Sequence, residues 1–247
     1  MGHVFDFQDA QAYKAWVSDS KNRATLEHQT RVILDLLRPL PGETLLDIGC
    51  GTGFHLSLFA EQNLHVTGID PSPYMLDIAS QTLGNRGDLH RGVAEDLPFE
   101  DNAFHYACLI TTLEFVEIPE KALEEAFRVG KNRVMIGVLN RYALKGVKRR
   151  IQGIFTPSIY NRARFFSVWE IKRMIFSLLG KVPVSWRTVC ELPIASGRMA
   201  RRIEASPMIR RCPFGAFAAV SVTLSPRFRA RPLPLEYGQR TATPLAG

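Results

Sequence analysis

The feature that most constrains the fold is an alternation of short apolar runs with helical patterns. The apolar runs are four to seven residues long, and helical patterns that begin near positions 54, 73 and 119 follow three of them. Strands that are apolar along most of their length are buried on both sides, and a helical crossover makes successive strands parallel. The sequence therefore predicts an α/β protein with a doubly wound sheet, whose first five strands lie at 45–48, 66–69, 89–93, 104–110 and 133–139.

A second group of elements is predicted downstream of this alternation. Ser167 and Glu170 have the spacing of a capping box, which predicts a helix that ends at Gly180. Two further strands are expected at about 184–189 and 214–224. Near the N-terminus, the apolar spacing within 25–38 predicts a helix that ends before a proline.

Length and composition limit the possible organisation. The 247 residues suit one large domain, and 46% of them are hydrophobic. We predict a single domain over 1–225, with a basic lid or insertion around 141–165, and a flexible Pro- and Arg-rich tail over 226–247. No apolar run approaches the roughly 20 residues of a membrane span, and the N-terminus has no signal-peptide pattern, so a cytoplasmic location is expected. The four cysteines and six histidines show no metal-ligand spacing, so no metal site is predicted.

Charge is distributed unevenly between the two parts of the chain. Residues 1–140 carry 11 Lys and Arg against 20 Asp and Glu, whereas residues 141–247 carry 20 against 4. A strongly basic segment indicates an anionic partner, which could be a phosphate, a carboxylate, a nucleic acid or a membrane surface. A solvated basic face without a partner is the alternative.

The first apolar run leads into a loop of three alternating glycines, Gly49, Gly51 and Gly53. Glycines at this point of an open α/β sheet let backbone N–H groups approach a ligand closely. Asp70 ends the second strand about 20 residues later, where an acid accepts hydrogen bonds from ribose hydroxyls. A dinucleotide fingerprint would need a further glycine at the position of Phe54, and no GK[ST] follows to make a P-loop. The loop therefore predicts a ribose-containing ligand that is not a dinucleotide.

Three motifs carry a resemblance to a known family. The segments LLDIGCGTG, VTGIDPSPYMLDIA and AEDLPFEDNAF together resemble class I S-adenosylmethionine (SAM)-dependent methyltransferases, in particular the type 11 group, which includes the ubiquinone and menaquinone biosynthesis methyltransferases. The similarity covers about residues 10 to 140. It implies a Rossmann-like sheet of seven strands, mostly parallel with one antiparallel strand, and S-adenosyl-L-methionine as the cofactor.

The resemblance also implies roles for individual residues. The glycine loop would line the methionine part of the cofactor with Asp47 beneath it, Asp70 would hold the ribose, and the backbone of Ile110 would face the methionine part. The family usually has Asp or Asn at the adenine contact, and this chain has Val93 there. Ala94 matches the family's next position. We therefore expect Glu95 or Asp96 to bind the adenine amino group instead. Tyr13 either folds over the cofactor or packs within an N-terminal helix. The predicted cofactor-binding residues are Tyr13, Asp47, Gly49, Gly51, Thr52, Gly53, Asp70, Ala94, Glu95 and Ile110.

Methyl transfer requires positioning and exclusion of water more than catalytic side chains. Where a base is needed, Glu114 lies at the position at which relatives carry residues near the acceptor, and Glu117 is the alternative. The basic stretch 144–155 is predicted to form a lid. The lid either covers the cofactor alone or also contacts an anionic membrane.

The leading functional hypothesis is methyl transfer to a small molecule, hydrophobic or anionic, such as a quinone or a lipid. A nucleic-acid methyltransferase is the main alternative, but TTLEFVEIP stands where such enzymes usually carry [DN]PP[YF]. A cofactor-binding protein without transferase activity is the third possibility.

Overall fold

The fold is a seven-stranded sheet with helices on both faces, seen in a computed structural model that describes residues 2–143, 163–189 and 212–225. In the described residues the helices are α1 Phe7–Ser18, α2 Ser20–Leu37, α3 Phe54–Ala60, α4 Pro73–Leu83, α5 Pro119–Val129 and α6 Val168–Leu179. The strands are β1 Thr44–Ile48, β2 His65–Asp70, β3 Gly87–Arg91, β4 Phe104–Ile110, β5 Gly130–Leu139, β6 Val184–Val189 and β7 Phe217–Thr223.

The strands are arranged in the order β3-β2-β1-β4-β5-β7-β6. β7 is antiparallel to both of its neighbours, and every other pairing is parallel. The predicted doubly wound, mostly parallel sheet with one antiparallel strand is confirmed. The order reverses between β1 and β4, so their carboxyl ends form the topological switch point at which ligands bind in such sheets.

Most of the hydrophobic core forms two layers, one on each face of the sheet, and a small third cluster joins α1 to α4. Leu45 belongs to the cluster that includes residues of α2 and α3, whereas Leu46 belongs to the cluster that includes residues of α5 and α6. Consecutive strand residues point to opposite faces, which explains why neighbouring leucines join different layers. Because both faces are covered, the central strands had to be apolar along most of their length.

Several predicted boundaries differ from the observed ones. β3 covers Gly87–Arg91 rather than 89–93, and Val93 lies outside it with 44% of its surface exposed. β7 begins at Phe217 rather than at Phe214, which is exposed at 57%. Helix α2 begins at Ser20, five residues earlier than predicted, because the Asp19 side chain caps it by accepting from two backbone N–H groups.

The capping box at α6 is present as predicted. The Ser167 hydroxyl accepts from the Glu170 N–H, the Glu170 carboxylate accepts from the Ser167 N–H at 2.8 Å, and Gly180 ends the helix with φ of 72°. The basic stretch 144–155 and the tail 226–247 lie outside the described residues. Within the described part of the chain, no helix combines the length and apolar character needed to cross a membrane.

Candidate cofactor site

The glycine loop between β1 and α3 adopts a backbone that only glycine reaches without strain. Gly49, Gly51 and Gly53 have φ of 74°, 53° and 73°. At Gly49 a side chain is also excluded by space, since a Cβ there would lie 2.5 Å from Cγ2 of Thr112. The Thr112 hydroxyl in turn donates to the Ile48 carbonyl at 2.7 Å. The loop is thus held against the end of β4. The positive φ angles explain all three glycines, and close packing adds a second reason at Gly49.

Asp70 connects the ends of β2 and β1. Its Oδ2 accepts from the Gly51 N–H at 2.9 Å and its Oδ1 from the Ser72 N–H at 2.9 Å. Burial raises the pKa of this carboxyl, and the two backbone hydrogen bonds oppose that effect. The side chain lines the cavity and is 8% exposed. Each carboxylate oxygen keeps acceptor capacity for a ligand hydroxyl.

Asp47 carries a buried oxygen that has no partner. The side chain lines the cavity and is 2% exposed, and its Oδ1 makes no hydrogen bond with any described residue. Burial, and to a lesser degree the charge of Asp70, raise the pKa of Asp47 to about 8. A carboxyl group in this state gains most from a cationic ligand group. The ammonium of a methionine moiety fits this requirement.

The cavity above the carboxyl ends of β1, β2 and β4 has a volume of about 1220 Å³. It brings together nine of the ten predicted cofactor residues: Tyr13, Asp47, Gly49, Gly51, Thr52, Asp70, Ala94, Glu95 and Ile110. Gly53 is not part of the lining. It caps α3, and a Cβ there would lie 3.1 Å from Ala79 of α4, so its role in the structure is close helix packing.

The segment predicted to bind adenine contributes Val93, Ala94 and Glu95 to the cavity. Oε1 of Glu95 accepts from the N–H groups of Glu117 at 2.9 Å and Ile118 at 3.3 Å. Glu95 therefore fixes the loop that follows β4 as well as facing the cavity. Asp96, the alternative adenine contact, is exposed and does not line the cavity.

Tyr13 lies in α1 and faces the cavity. Its ring stacks on Trp16 with centroids 5.7 Å apart and meets the edge of Phe5 at 6.5 Å. The two interpretations of the sequence are thus compatible, because the tyrosine both packs with aromatic neighbours and reaches the cavity.

Glu114 does not face the cavity, in which a base would have to contact the acceptor. It is 2% exposed, its Oε1 accepts from the Leu139 N–H at 2.6 Å, and it does not line the cavity, whereas Glu117 does. Burial raises the pKa of Glu114 to about 8, and its Oε2 has no partner among the described residues. Its observed contact joins the loop after β4 to the end of β5. Its role as a base remains a prediction.

The sequence did not reveal a strap formed by residues 2–6. The Phe5 carbonyl accepts from the Ser72 hydroxyl at 2.6 Å, and the His3 N–H donates to the Phe115 carbonyl at 2.9 Å. The strap thus joins the segment after β2 to the segment after β4 and lines the cavity between them. Gln29 of α2 and His55 of α3 also line the cavity. No local pattern signals these residues, because each reaches the site only through tertiary packing.

A glycine loop after β1 and an acid at the end of β2, both at the switch point, are typical of nucleoside-binding α/β proteins of the doubly wound class. Residues 46–136 match a family model described as a methyltransferase domain, type 11. An uncharacterized protein of Methanocaldococcus jannaschii is 33% identical over 178 residues, which are 71% of this chain and 80% of that protein.

Two further proteins are similar. The demethylmenaquinone methyltransferase of Oceanobacillus iheyensis is 34% identical over 53% of this chain, and the match spans about half, 51%, of that enzyme. A solved structure from Thermotoga maritima, a SAM-dependent methyltransferase and possible histamine N-methyltransferase, superposes with a TM-score of 0.64 at 24% identity, covering 88% of this chain and 96% of that one.

The chain belongs to the type 11 group of the class I SAM-dependent methyltransferases. It is accordingly a methyltransferase whose cofactor is S-adenosyl-L-methionine, as the sequence motifs predicted.

Proposed function

We propose that the protein transfers a methyl group to a small hydrophobic molecule that enters the cavity beside the cofactor. The observation that carries this proposal is the size of the cavity. At about 1220 Å³ it exceeds the roughly 300–1,000 Å³ of a pocket for one drug-sized ligand. It continues from the cofactor residues to apolar side chains of α1, α2 and α3, including Trp16, Leu26 and Phe54. Such a lining favours an acceptor with an apolar body.

The cofactor, when bound, supplies a methyl group activated by a positively charged sulfur. In the proposal, Asp47 faces its ammonium, Asp70 accepts from its ribose hydroxyls, and the glycine loop approaches its methionine part. Ala94 and Glu95 lie at the adenine, and Ile110 and Tyr13 complete the walls. These residues hold the reacting groups in line and exclude water, which accounts for much of the rate of methyl transfer.

The choice of a quinone- or lipid-like acceptor is supported by one similar enzyme, whose name states that it methylates demethylmenaquinone. An anionic membrane is a natural source for such an acceptor, and the basic C-terminal part of the chain would suit contact with it. The predicted cytoplasmic location belongs to the same proposal.

The test is label transfer from S-adenosylmethionine to an extract of the source cells, followed by partition between organic and aqueous phases. We expect label in the organic phase, because the cavity walls around the acceptor are apolar. Label confined to the aqueous phase would contradict the hydrophobic acceptor, and nuclease digestion of that fraction would then separate a nucleic acid from a polar metabolite.

A further inference from the structure

His55 is held by a hydrogen-bonded chain that joins α3 to α2. It is the second residue of α3, lines the cavity, and places Nδ1 2.8 Å from the Thr30 hydroxyl. That hydroxyl is also 2.9 Å from the Leu26 carbonyl in the preceding turn of α2. The orientation of the imidazole is therefore set by a second helix.

This chain of contacts determines which ring nitrogen carries the hydrogen. A threonine hydroxyl has one hydrogen, and the Leu26 carbonyl can only accept, so the hydroxyl donates to the carbonyl. The Thr30 oxygen must then accept from Nδ1–H of His55. In a neutral imidazole the other nitrogen, Nε2, carries a lone pair, and no described residue hydrogen-bonds to it. Burial lowers the pKa of His55 to about 4, so the ring is neutral at physiological pH.

Gln29 provides a second polar group in the same wall. It precedes Thr30 in α2, is 5% exposed, and lines the cavity. Its side-chain amide makes no hydrogen bond with any described residue. The amide is therefore available to hydrogen-bond with an oxygen of a ligand in the cavity.

The surroundings of these two groups are largely apolar. The positive charge nearest to their aromatic wall is Arg23, which lies over the Phe54 ring at 6.0 Å from its centroid and pairs with Glu27 at 3.2 Å. Trp16, Leu26 and Phe54 line the same cavity, and Phe54 meets the edge of the His55 ring with centroids 5.7 Å apart. Among the described lysines and arginines, those in the lining are Lys21 and Lys121, and both are exposed. Aromatic walls with a hydrogen-bond acceptor and an amide suit a neutral, flat molecule that carries a hydroxyl group.

We propose that His55 Nε2 accepts the hydroxyl hydrogen of an aromatic methyl acceptor and removes that proton during transfer, while Gln29 orients a second oxygen of the same molecule. This inference rests on the proposed function and narrows its acceptor to a hydroxyl-bearing aromatic. The hydroxyl oxygen bonds to the methyl carbon, the carbon–sulfur bond breaks, and its electron pair stays on sulfur. The hydroxyl proton passes to Nε2 and then to solvent.

The weak basicity of His55 is compatible with this role. A hydroxyl oxygen that is bonding to a methyl group gains positive charge, so its proton becomes strongly acidic in the transition state. His55 is neutral near pH 7 in the free protein, and as a weak base it can accept this acidic proton in the transition state. Once His55 is neutral, above about pH 5, the rate should be independent of its ionisation.

The first experiment measures the protonation of the two His55 ring nitrogens directly. Nitrogen-detected NMR of the full chain with S-adenosylhomocysteine should show His55 as the neutral tautomer protonated at Nδ1 down to about pH 5, as the pKa of about 4 requires. Added 1-naphthol should move the Nε2 resonance, and 1-methoxynaphthalene, which lacks the hydroxyl, should not. A hydrogen on Nε2 in the free protein, or no response to naphthol, would overturn the proposal.

The second experiment uses variants. His55→Asn can keep an N–H close to the position of Nδ1 and removes Nε2. We expect it to lower kcat by about 100-fold or more with S-adenosylhomocysteine affinity within twofold of wild type. His65→Asn, an exposed residue at the start of β2, is the matched control. Thr30→Val should also lower kcat, by a smaller factor than His55→Asn. Thr30→Ser keeps the hydroxyl and should have the kcat of wild type.

The readout is methyl transfer to 1-naphthol or, where 1-naphthol is not turned over, to the organic-phase acceptor of the cell extract. Turnover of His55→Asn within a few-fold of wild type would refute the role of Nε2. If His55→Asn lost as much affinity for S-adenosylhomocysteine as it lost in kcat, His55 would be a cofactor-binding residue instead. Failure of the proposed function is distinguishable, because wild type would then bind S-adenosylhomocysteine yet label no acceptor of either kind.

Discussion

Asp70 serves several parts of the site with one carboxylate. It holds the Gly51 N–H of the loop and the Ser72 N–H that precedes α4, and it faces the cavity where the ribose is proposed to bind. Its position at the end of a parallel strand is what allowed the sequence to predict it. The hydrogen bond that it accepts from the glycine loop was not foreseen.

Replacing Asp70 should weaken cofactor binding. Hydrogen bonds to a charged group contribute roughly 1.5–3 kcal/mol each, so Asp70→Ala should raise the dissociation constant for S-adenosylhomocysteine by tenfold or more. Titration calorimetry measures this directly. Asp88→Ala, an exposed acid on the neighbouring strand β3, should bind like wild type. Wild-type affinity in Asp70→Ala would contradict the ribose assignment.

Asp47 should make cofactor binding depend on pH. With a pKa of about 8, the free protein holds a proton on this carboxyl at pH 7, and a nearby ammonium group lowers the pKa. Binding should therefore release close to one proton at pH 7, and affinity should rise between pH 6 and pH 8. Calorimetry in buffers of different ionisation enthalpy measures the proton. In Asp47→Asn the affinity should be lower and the release should disappear; an unchanged release would show that another group supplies it.

Glu114 should affect stability through its raised pKa. The native state binds its proton up to about pH 8, whereas the unfolded state loses it near pH 4.5. This contribution is therefore full below about pH 4.5 and is lost as the pH rises toward 8, by at most about 1.4 kcal/mol per pH unit. Urea unfolding of Glu114→Gln should show a shallower decline between pH 5 and pH 8 than wild type. Equal declines would mean that Glu114 is not the group responsible.

The same variant tests the sequence hypothesis for the base. If Glu114 removes a proton from the acceptor, Glu114→Gln should lose about 100-fold or more in kcat. If its hydrogen bond to the Leu139 N–H is its main role, the amide oxygen can replace it and kcat should change little. Glu117→Gln tests the alternative base, which lines the cavity, and His55→Asn tests the base proposed from the structure. The kcat values of the three variants can then be compared.

At the scale of elements, the strap of residues 2–6 is the least expected part of the site. Phe5 packs edge-on against Phe115 of the loop after β4 at 5.1 Å and against Tyr13 of α1. These contacts, with the hydrogen bond from Ser72, cover the cavity between the ends of β2 and β4. We therefore expect the strap to slow the exchange of the cofactor.

Weakening the strap should speed cofactor exchange. Phe5→Ala removes the ring contacts with His3, Tyr13 and Phe115, so we expect S-adenosylhomocysteine to dissociate about tenfold faster in a stopped-flow displacement experiment, with little change in thermal stability. Phe7→Ala is the control, because Phe7 is 57% exposed and is absent from the cavity lining. Equal dissociation rates in Phe5→Ala and wild type would show that the strap does not limit release.

At the scale of the whole molecule, charge is divided between an acidic N-terminal part and a basic C-terminal part. Of the 20 Lys and Arg in residues 141–247, 14 lie outside the described residues, and eight of these are in 144–155 and in the tail. The described residues do show that the chain leaves β5 beside the cavity, since Leu139 belongs to its lining.

Membrane contact should appear as salt-dependent sedimentation. We expect the full chain to sediment with vesicles of anionic lipid at low salt and to be released at high salt, because exposed charges are screened beyond about 10 Å at 0.1 M. Vesicles of neutral lipid are the control. Replacement of Lys145, Lys148, Arg149 and Arg150 by glutamate should weaken the interaction. Failure to sediment with anionic vesicles at low salt would exclude a membrane role for 144–155.

The sequence by itself determined the sheet, the family and most of the predicted residues that the structure brings together in the cavity lining. Strands at 104–110 and 184–189 were predicted to the residue, and the glycine loop and Asp70 were located because each is a local pattern at a strand end. Parallel strands bring their carboxyl ends to one edge, so local patterns of this kind are sufficient to assemble a site.

Only the tertiary structure decided which other side chains face the cavity. His55 and Thr30 are 25 residues apart and meet because α2 packs against α3. Glu114, although next to the cavity-lining Phe115, turns instead to the end of β5. The strap closes over the site through contacts with residues 67 and more than 100 positions away. These relations depend on how helices and loops pack across the strand ends, and a one-residue change in that packing would present different side chains, so no local pattern encodes them.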